Sequence, residues 1–134
     1  MAETLKRILY VEDEPDIREV AKLALEALGG FRVEMCASGE EALEKAPAFA
    51  PQFILLDVMM PGMDGPATLL RLRQAPQLAS VPVAFMTAKV QPGEVAQYLE
   101  LGAVDVIPKP FDPMTLAATV NGIWESKVPA AAKS

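Results

Sequence analysis

The sequence predicts an α/β fold, a single domain in which a parallel sheet is covered by helices on both faces. Three observations lead there. Apolar runs of strand length alternate five times with segments of helical spacing, without interruption, which is the pattern of parallel strands joined by right-handed crossovers. The third run, Phe53-Ile54-Leu55-Leu56, is apolar at every position and bounded by turn formers, as a strand buried on both faces should be. Finally, Glu12, Asp13, Asp57, Thr87 and Lys109 all fall at the C-terminal ends of predicted strands, the end at which open parallel sheets bind ligands.

Composition limits what such a domain can do. With 134 residues, 51% hydrophobic and 22% charged, the chain can bury one ordinary core but not two. A net charge of -6 disfavours direct contact with nucleic acid or an anionic membrane, whose phosphates select the opposite sign. No apolar run approaches the length of a bilayer span, and Met1 to Arg7 lacks the apolar core of a secretory signal, so a cytoplasmic location is expected. Cys36 is the only cysteine and histidine is absent, which rules out an internal disulfide and disfavours a structural zinc site. Cys36 therefore reads as a small buried hydrophobe.

Taken in order, Lys6 to Val11 gives the first strand, which ends in Glu12-Asp13-Glu14. Consecutive acids at a strand end repel one another unless a cation sits among them, although they could also simply favour the helix N-terminus that Pro15 opens. That helix keeps Ile17, Val20, Ala21, Ala24 and Leu28 at helical spacing until Gly29-Gly30 stops it. Phe31 to Cys36 alternates apolar and charged residues, the mark of an edge strand. Ser38 and Glu41 form a capping box for a short second helix expected to end before Pro47.

The third strand delivers Asp57 at its end, because an unpartnered carboxylate does not belong inside so apolar a run. Pro66 starts a third helix with Leu69, Leu70 and Leu72 as apolar contacts and Arg71 and Arg73 as its wet face, ended by Ala75-Pro76-Gln77. Val81 to Met86 is the fourth strand and presents Thr87-Ala88, where the threonine could equally cap the next turn. The fourth helix opens at Pro92, uses Val95, Tyr98, Leu99 and Leu101 as its apolar set, and stops at Gly102. Val104 to Ile107 is a short fifth strand, after which two prolines hold Lys109 in a fixed, non-helical position. The last helix, from about Pro113 to Lys127, places Leu116, Val120, Ile123 and Trp124 on one face. The domain is taken as residues 1–128, and residues 129–134 as a flexible C-terminal tail of small residues.

Clustered carboxylates suit a hard, oxygen-seeking ion, and Mg2+ commonly takes one or two carboxylates, waters and a substrate phosphate. Lys109 adds the opposite charge and Thr87 a neutral hydroxyl, so the set is matched to a phosphoryl group that a carboxylate attacks in line. Asp57 is the expected nucleophile, giving an acyl phosphate, and with no histidine in the chain the phosphate must come from outside.

Glu12-Asp13, Leu55-Leu56-Asp57 with Met60-Pro61-Gly62-Met63-Asp64-Gly65, Met86-Thr87-Ala88 and Lys109-Pro110-Phe111 closely resemble the receiver domain of two-component response regulators, over residues 6–127. The resemblance implies a flavodoxin-like, doubly wound five-stranded parallel sheet of order 2-1-3-4-5 with five helices, an order that holds generally for this fold. It implies that Asp57 accepts phosphate from a phosphohistidine on a sensor histidine kinase or phosphotransfer protein. Glu12, Asp13, Asp57 and the Met59 backbone carbonyl would surround Mg2+. Thr87 and Lys109 would bind phosphoryl oxygens, and the Lys109-Pro110 bond is expected to be cis. Such a domain is not an enzyme, since it catalyses only its own phosphoryl transfer and autodephosphorylation. The further partner implied is a downstream protein target, contacted through helix four, strand five and helix five; Gln91, Glu94, Gln97, Glu100 and Asp105 are the candidate positions there, and could equally be an ordinary solvated face. A homodimer is an option, whereas direct nucleic-acid or membrane contact is not expected.

The sequence departs from the family pattern at Val106, where many receivers place an aromatic switch residue. A valine has no ring to relocate, so either the signal leaves through the Thr87 to Gly93 loop or the two states differ little. Met59 and Lys89 flank the path of a hydrolytic water and are expected to affect the lifetime of the acyl phosphate. Few residues follow the last helix, which suggests a stand-alone receiver. Three other readings compete. An unphosphorylated receiver-fold scaffold is motivated by Val106. A haloacid-dehalogenase-type phosphatase would carry its nucleophile after the first strand, and a flavodoxin-type carrier would need a glycine-rich phosphate loop where the acids stand.

Overall fold

The computed structural model describes residues 4–129, in which five strands and five helices alternate. The strands are β1 (Arg7–Val11), β2 (Arg32–Cys36), β3 (Phe53–Asp57), β4 (Val83–Thr87) and β5 (Asp105–Pro108). They form one sheet in the order β2-β1-β3-β4-β5, parallel at every pairing, which is the predicted flavodoxin-like order with β2 at an edge. The helices are α1 (Pro15–Leu23), α2 (Gly39–Phe49), α3 (Gly65–Gln74), α4 (Pro92–Glu100) and α5 (Leu116–Ser126). From β1 the chain winds outward to β2, then crosses back to β3 on the other side. This reversal puts the ends of β1 and β3 next to each other at the position where a crevice opens.

Strand side chains alternate between two apolar layers. Ile8, Tyr10, Phe53 and Leu55 face α1 and α5, together with Ala21, Leu116, Val120 and Trp124. Leu9, Val11, Ile54 and Leu56 face α2 and α3, together with Ala42, Ala46, Leu69 and Leu72. The α5 stripe is as expected, and Trp124 lies against Phe53 with ring centroids 6.3 Å apart. The helix itself begins at Leu116 and not at Pro113, because Asp112 caps the preceding turn through its carboxylate to the Met114 N–H and its carbonyl to the Thr115 and Leu116 N–H groups. Cys36 is buried as expected, and burial pushes its thiol up to about 12. No helix among the described residues is long and apolar enough to cross a membrane.

Several helix faces differ from the sequence reading. After Leu23 the first helix continues as a π-helical turn over Ala24–Leu28, and the wider turn rotates Leu28 away from the core to 54% exposure. Leu25 is buried in its place, while Val20 is also exposed. α2 runs past Pro47 to Phe49: the missing N–H falls near the C-terminus, Ala50 N–H still reaches the Ala46 carbonyl at 2.9 Å, and Phe49 packs on the second layer. On α3, Gly65, Thr68, Leu69 and Leu72 make the inward stripe, so Leu70 points out at 65% exposure. Arg73 is half-buried and not wet, donating from Nη1 to the Leu78 carbonyl at 3.1 Å and the Val81 carbonyl at 2.5 Å. α4 has no fully buried residue; Tyr98 leans edge-on against Phe85 at 5.4 Å, and Leu99 and Leu101 are exposed. At the C-terminus Val128 is buried in the first layer, whereas the expected tail lies from residue 130 onward outside the described residues.

Candidate phosphoacceptor site

Each site residue arrives at the crevice because its strand ends there. The β1 ladder closes at Val11, paired with Cys36 and Leu56, and Glu12 follows with its N–H bonded to the Cys36 carbonyl at 3.0 Å. Asp57 is the last residue of β3 and Thr87 the last of β4. Beyond Asp57 the chain turns back at once: Gly65 N–H donates to the Val58 carbonyl at 2.8 Å, and the Asp64 carboxylate caps α3 at the Ala67 N–H. A Cβ at Gly65 would lie 2.6 Å from the Asp57 carbonyl oxygen, so glycine is what lets the helix start this close to the acid. Lys109 leaves β5 with its N–H on the Thr87 carbonyl at 2.9 Å, and the Lys109-Pro110 bond is cis.

Glu12, Asp13, Asp57, Thr87 and Lys109 all lie at this end of the sheet. Lys109 Nζ lies 2.7 Å from Glu12 Oε1 and 3.3 Å from Asp57 Oδ1. Glu12, Asp13 and Asp57 each offer a carboxylate oxygen within 4.8 Å of the others. Glu12, Asp57 and Thr87 are buried, with Glu12 at 1% exposure and Asp57 at 4%. Asp57, Met59, Thr87, Ala88, Lys89 and Lys109 line an open cleft of about 210 Å³, to which Glu14 also contributes. The Thr87 hydroxyl accepts from the Lys89 N–H at 3.0 Å, which is the turn role considered above, and its proton remains available to donate.

The family model for the response regulator receiver domain matches residues 8–121. The chain belongs to that family. Among similar proteins, Response regulator Rre1 of Synechocystis is 37% identical over 92% of this chain and 53% of its own length. The alkaline phosphatase synthesis transcriptional regulatory protein PhoP of Bacillus subtilis is 41% identical over 88% of this chain and 48% of its own. The receiver thus spans about half the length of these curated relatives. The solved structure of chemotaxis protein CheY4 of Vibrio cholerae superimposes with a TM-score of 0.82 at 32% identity, over 90% of this chain and 99% of the other. The family match leaves the dehalogenase-type and flavodoxin-type readings without support.

The electrostatics of this receiver follow from the geometry. Burial, then the neighbouring Glu12, push the Asp57 carboxyl up to about 7, with Lys109 opposing. Burial works on Glu12 in the same direction, but hydrogen bonds to Lys109, Asp57 and the Glu14 N–H outweigh it and hold Glu12 below the usual carboxylate range. Burial works to lower Lys109, and the two acids overcome it and raise the ammonium. Tyr10 reports the same negative field: burial, then the charges of Glu12 and Asp57, push its phenol well up. Glu12, Asp13 and Asp57 thus gather their oxygens beside the Lys109 ammonium, a donor set of oxygen alone. That donor set fits a hard divalent cation such as Mg2+. One contributor escaped the sequence reading: Arg18, whose Nη1 donates to the Glu12 carbonyl at 2.7 Å. Its position one turn into the helix that follows the acids was the available signal.

Proposed function

We propose that this receiver is a phosphoacceptor: Asp57 takes a phosphoryl group from a phosphohistidine on a sensor histidine kinase or phosphotransfer protein, and the resulting acyl phosphate changes a protein contact. The observation that carries this reading is a buried Asp57 at the end of the central strand, with Lys109 Nζ at 3.3 Å and the oxygens of Glu12 and Asp13 beside it. The sequence holds no histidine, so the donor lies outside it.

In the transfer, a carboxylate oxygen of Asp57 attacks phosphorus. An O–P bond forms as the N–P bond breaks, and the electron pair leaves with the imidazole nitrogen. Lys109 favours the ionised, attacking form of Asp57 and then exchanges carboxylate for phosphoryl oxygen. Thr87 donates its hydroxyl proton to a second phosphoryl oxygen while still accepting from the Lys89 N–H. Glu12, Asp13, Asp57 and the Met59 backbone carbonyl are the groups that would hold Mg2+, which supplies positive charge to neutralise the transferring group. Met59 and Lys89, at the open side of the cleft, govern how water reaches the acyl phosphate.

The output is a contact with a downstream protein, made on the face of α4, β5 and α5, where Gln91, Gln97 and Glu100 are exposed. Val106 has no ring to relocate, so either the Thr87 to Gly93 backbone carries the change or the two states differ little. A cytoplasmic location fits this reading.

The test is intact mass after incubation with acetyl phosphate and Mg2+, beside Asp57→Ala. A single phosphoryl adduct that needs both the ion and Asp57 is expected. No adduct in a protein that binds Mg2+ and also stays unmodified by phosphohistidine donors would favour an unphosphorylated scaffold.

A further inference from the structure

We propose that Arg18 is the positioning residue of the cation site: its guanidinium fixes the peptide joining Glu12 to Asp13 and so aims both acids at Asp57. The inference rests on the Mg2+ reading above and adds a residue to it.

Glu12 lies one position past the last ladder pair of β1, Val11 with Cys36 and Leu56. Its N–H is still taken by the Cys36 carbonyl, but its own carbonyl has left the sheet and receives Arg18 Nη1 at 2.7 Å. The Arg18 backbone N–H donates to the Glu14 carbonyl at 3.1 Å, the first bond of α1, so the side chain that reaches Glu12 springs from a residue the helix itself anchors. The Glu12-Asp13-Glu14 turn therefore lies between the guanidinium contact at Glu12 and the start of α1 at Glu14. Within that turn the Glu12 carboxylate is held on both oxygens, Oε1 by Lys109 and Oε2 by the Glu14 N–H at 3.2 Å.

The fixed carbonyl belongs to the peptide plane from which the Asp13 Cα also springs, so releasing it lets the two side chains swing relative to each other. Ion affinity depends on presenting oxygens at fixed spacing, and partners that orient ligands are typically worth 10–100-fold in affinity. Arg18 is half-buried, which suits a bond that must persist when the acids change partner.

Charge alone predicts the opposite result. A guanidinium beside a cation site repels the ion, so a purely electrostatic Arg18 would weaken Mg2+ binding in the wild type and its removal would tighten it. Positioning predicts that removal weakens binding. The sign of the change separates the two roles.

The experiment is calorimetric titration of the full chain with Mg2+ for wild type, Arg18→Met and Arg18→Gln, with thermal melts of each in EDTA. The expected result is Mg2+ affinity about tenfold weaker in the variants. Equal or tighter affinity in a folded variant overturns the inference, as does a lower melting temperature with unchanged affinity, which would mark a merely structural role. If one variant fails to fold, the other decides. A wild type that binds no Mg2+ overturns the metal reading itself and this inference with it.

Discussion

A carboxylate buried beside a second buried carboxylate resists ionisation, and Asp57 is accordingly pushed up to about 7. Since that lies above its unfolded value, the fold favours the protonated form. The stability this group contributes without metal is full below about pH 4 and is lost as pH rises through about 7. Glu12 works in the opposite sense and in the acid range, because its carboxylate is held low. Asp57→Asn is expected to abolish the loss and to be more stable than wild type near pH 8 in EDTA. Melts across that pH range check it, and a wild type that gains stability toward pH 8 would contradict it. Met59 raises a separate question of lifetime. Its exposed apolar side chain at the cleft mouth cannot orient a water, whereas an amide can. Met59→Asn is expected to shorten the acyl phosphate lifetime several-fold, followed by loss of the adduct mass with time; an unchanged rate would remove Met59 from the account.

At the scale of elements, local signals and packing signals divide cleanly. Ser38 accepts from the Glu41 N–H at 3.1 Å and Pro92 opens α4, as residue chemistry alone requires. Which side of a helix faces inward is less local. Leu70 and Leu99 are as apolar as Leu69, yet they are exposed, because a stripe is selected by where the sheet lies and not by the residue itself. Arg73 shows the converse: its charge predicts a wet side chain, but the loop carbonyls of Leu78 and Val81 need donors, and its long side chain supplies them. The junction of β3 and α3 offers a direct test. Gly65→Ala would set a methyl 2.6 Å from the Asp57 carbonyl and 2.8 Å from the Val58 Cα, both backbone atoms that cannot step aside cheaply. A loss of about 2–3 kcal/mol in urea unfolding is expected, with impaired phosphorylation because the acid itself is displaced. Wild-type stability in that variant would show that the junction relaxes freely.

For the molecule as a whole, the proposed cation would relieve the repulsion within the acid cluster, so ion binding there would link function and stability through one site. If Mg2+ binds only the folded chain, an ion concentration a hundredfold above its dissociation constant adds about 2.7 kcal/mol. A melting temperature that climbs with Mg2+, returns with EDTA and does not respond in Asp13→Asn with Asp57→Asn is the expected pattern. An identical response in that double variant would place the ion elsewhere. The sequence by itself determined the element types and their order, the parallel sheet, and the residues brought to its C-terminal edge, because burial periodicity, turn chemistry and strand-end polarity are written within a few neighbouring positions. Only the tertiary structure decided that Lys109 bonds Glu12 more closely than Asp57, that Arg18 clasps the Glu12 carbonyl, and that α1 loosens into a π turn. Such choices are settled by competition for partners in space: the Lys109–Glu12 bond joins residues 97 positions apart, and no local pattern can rank contacts at that range.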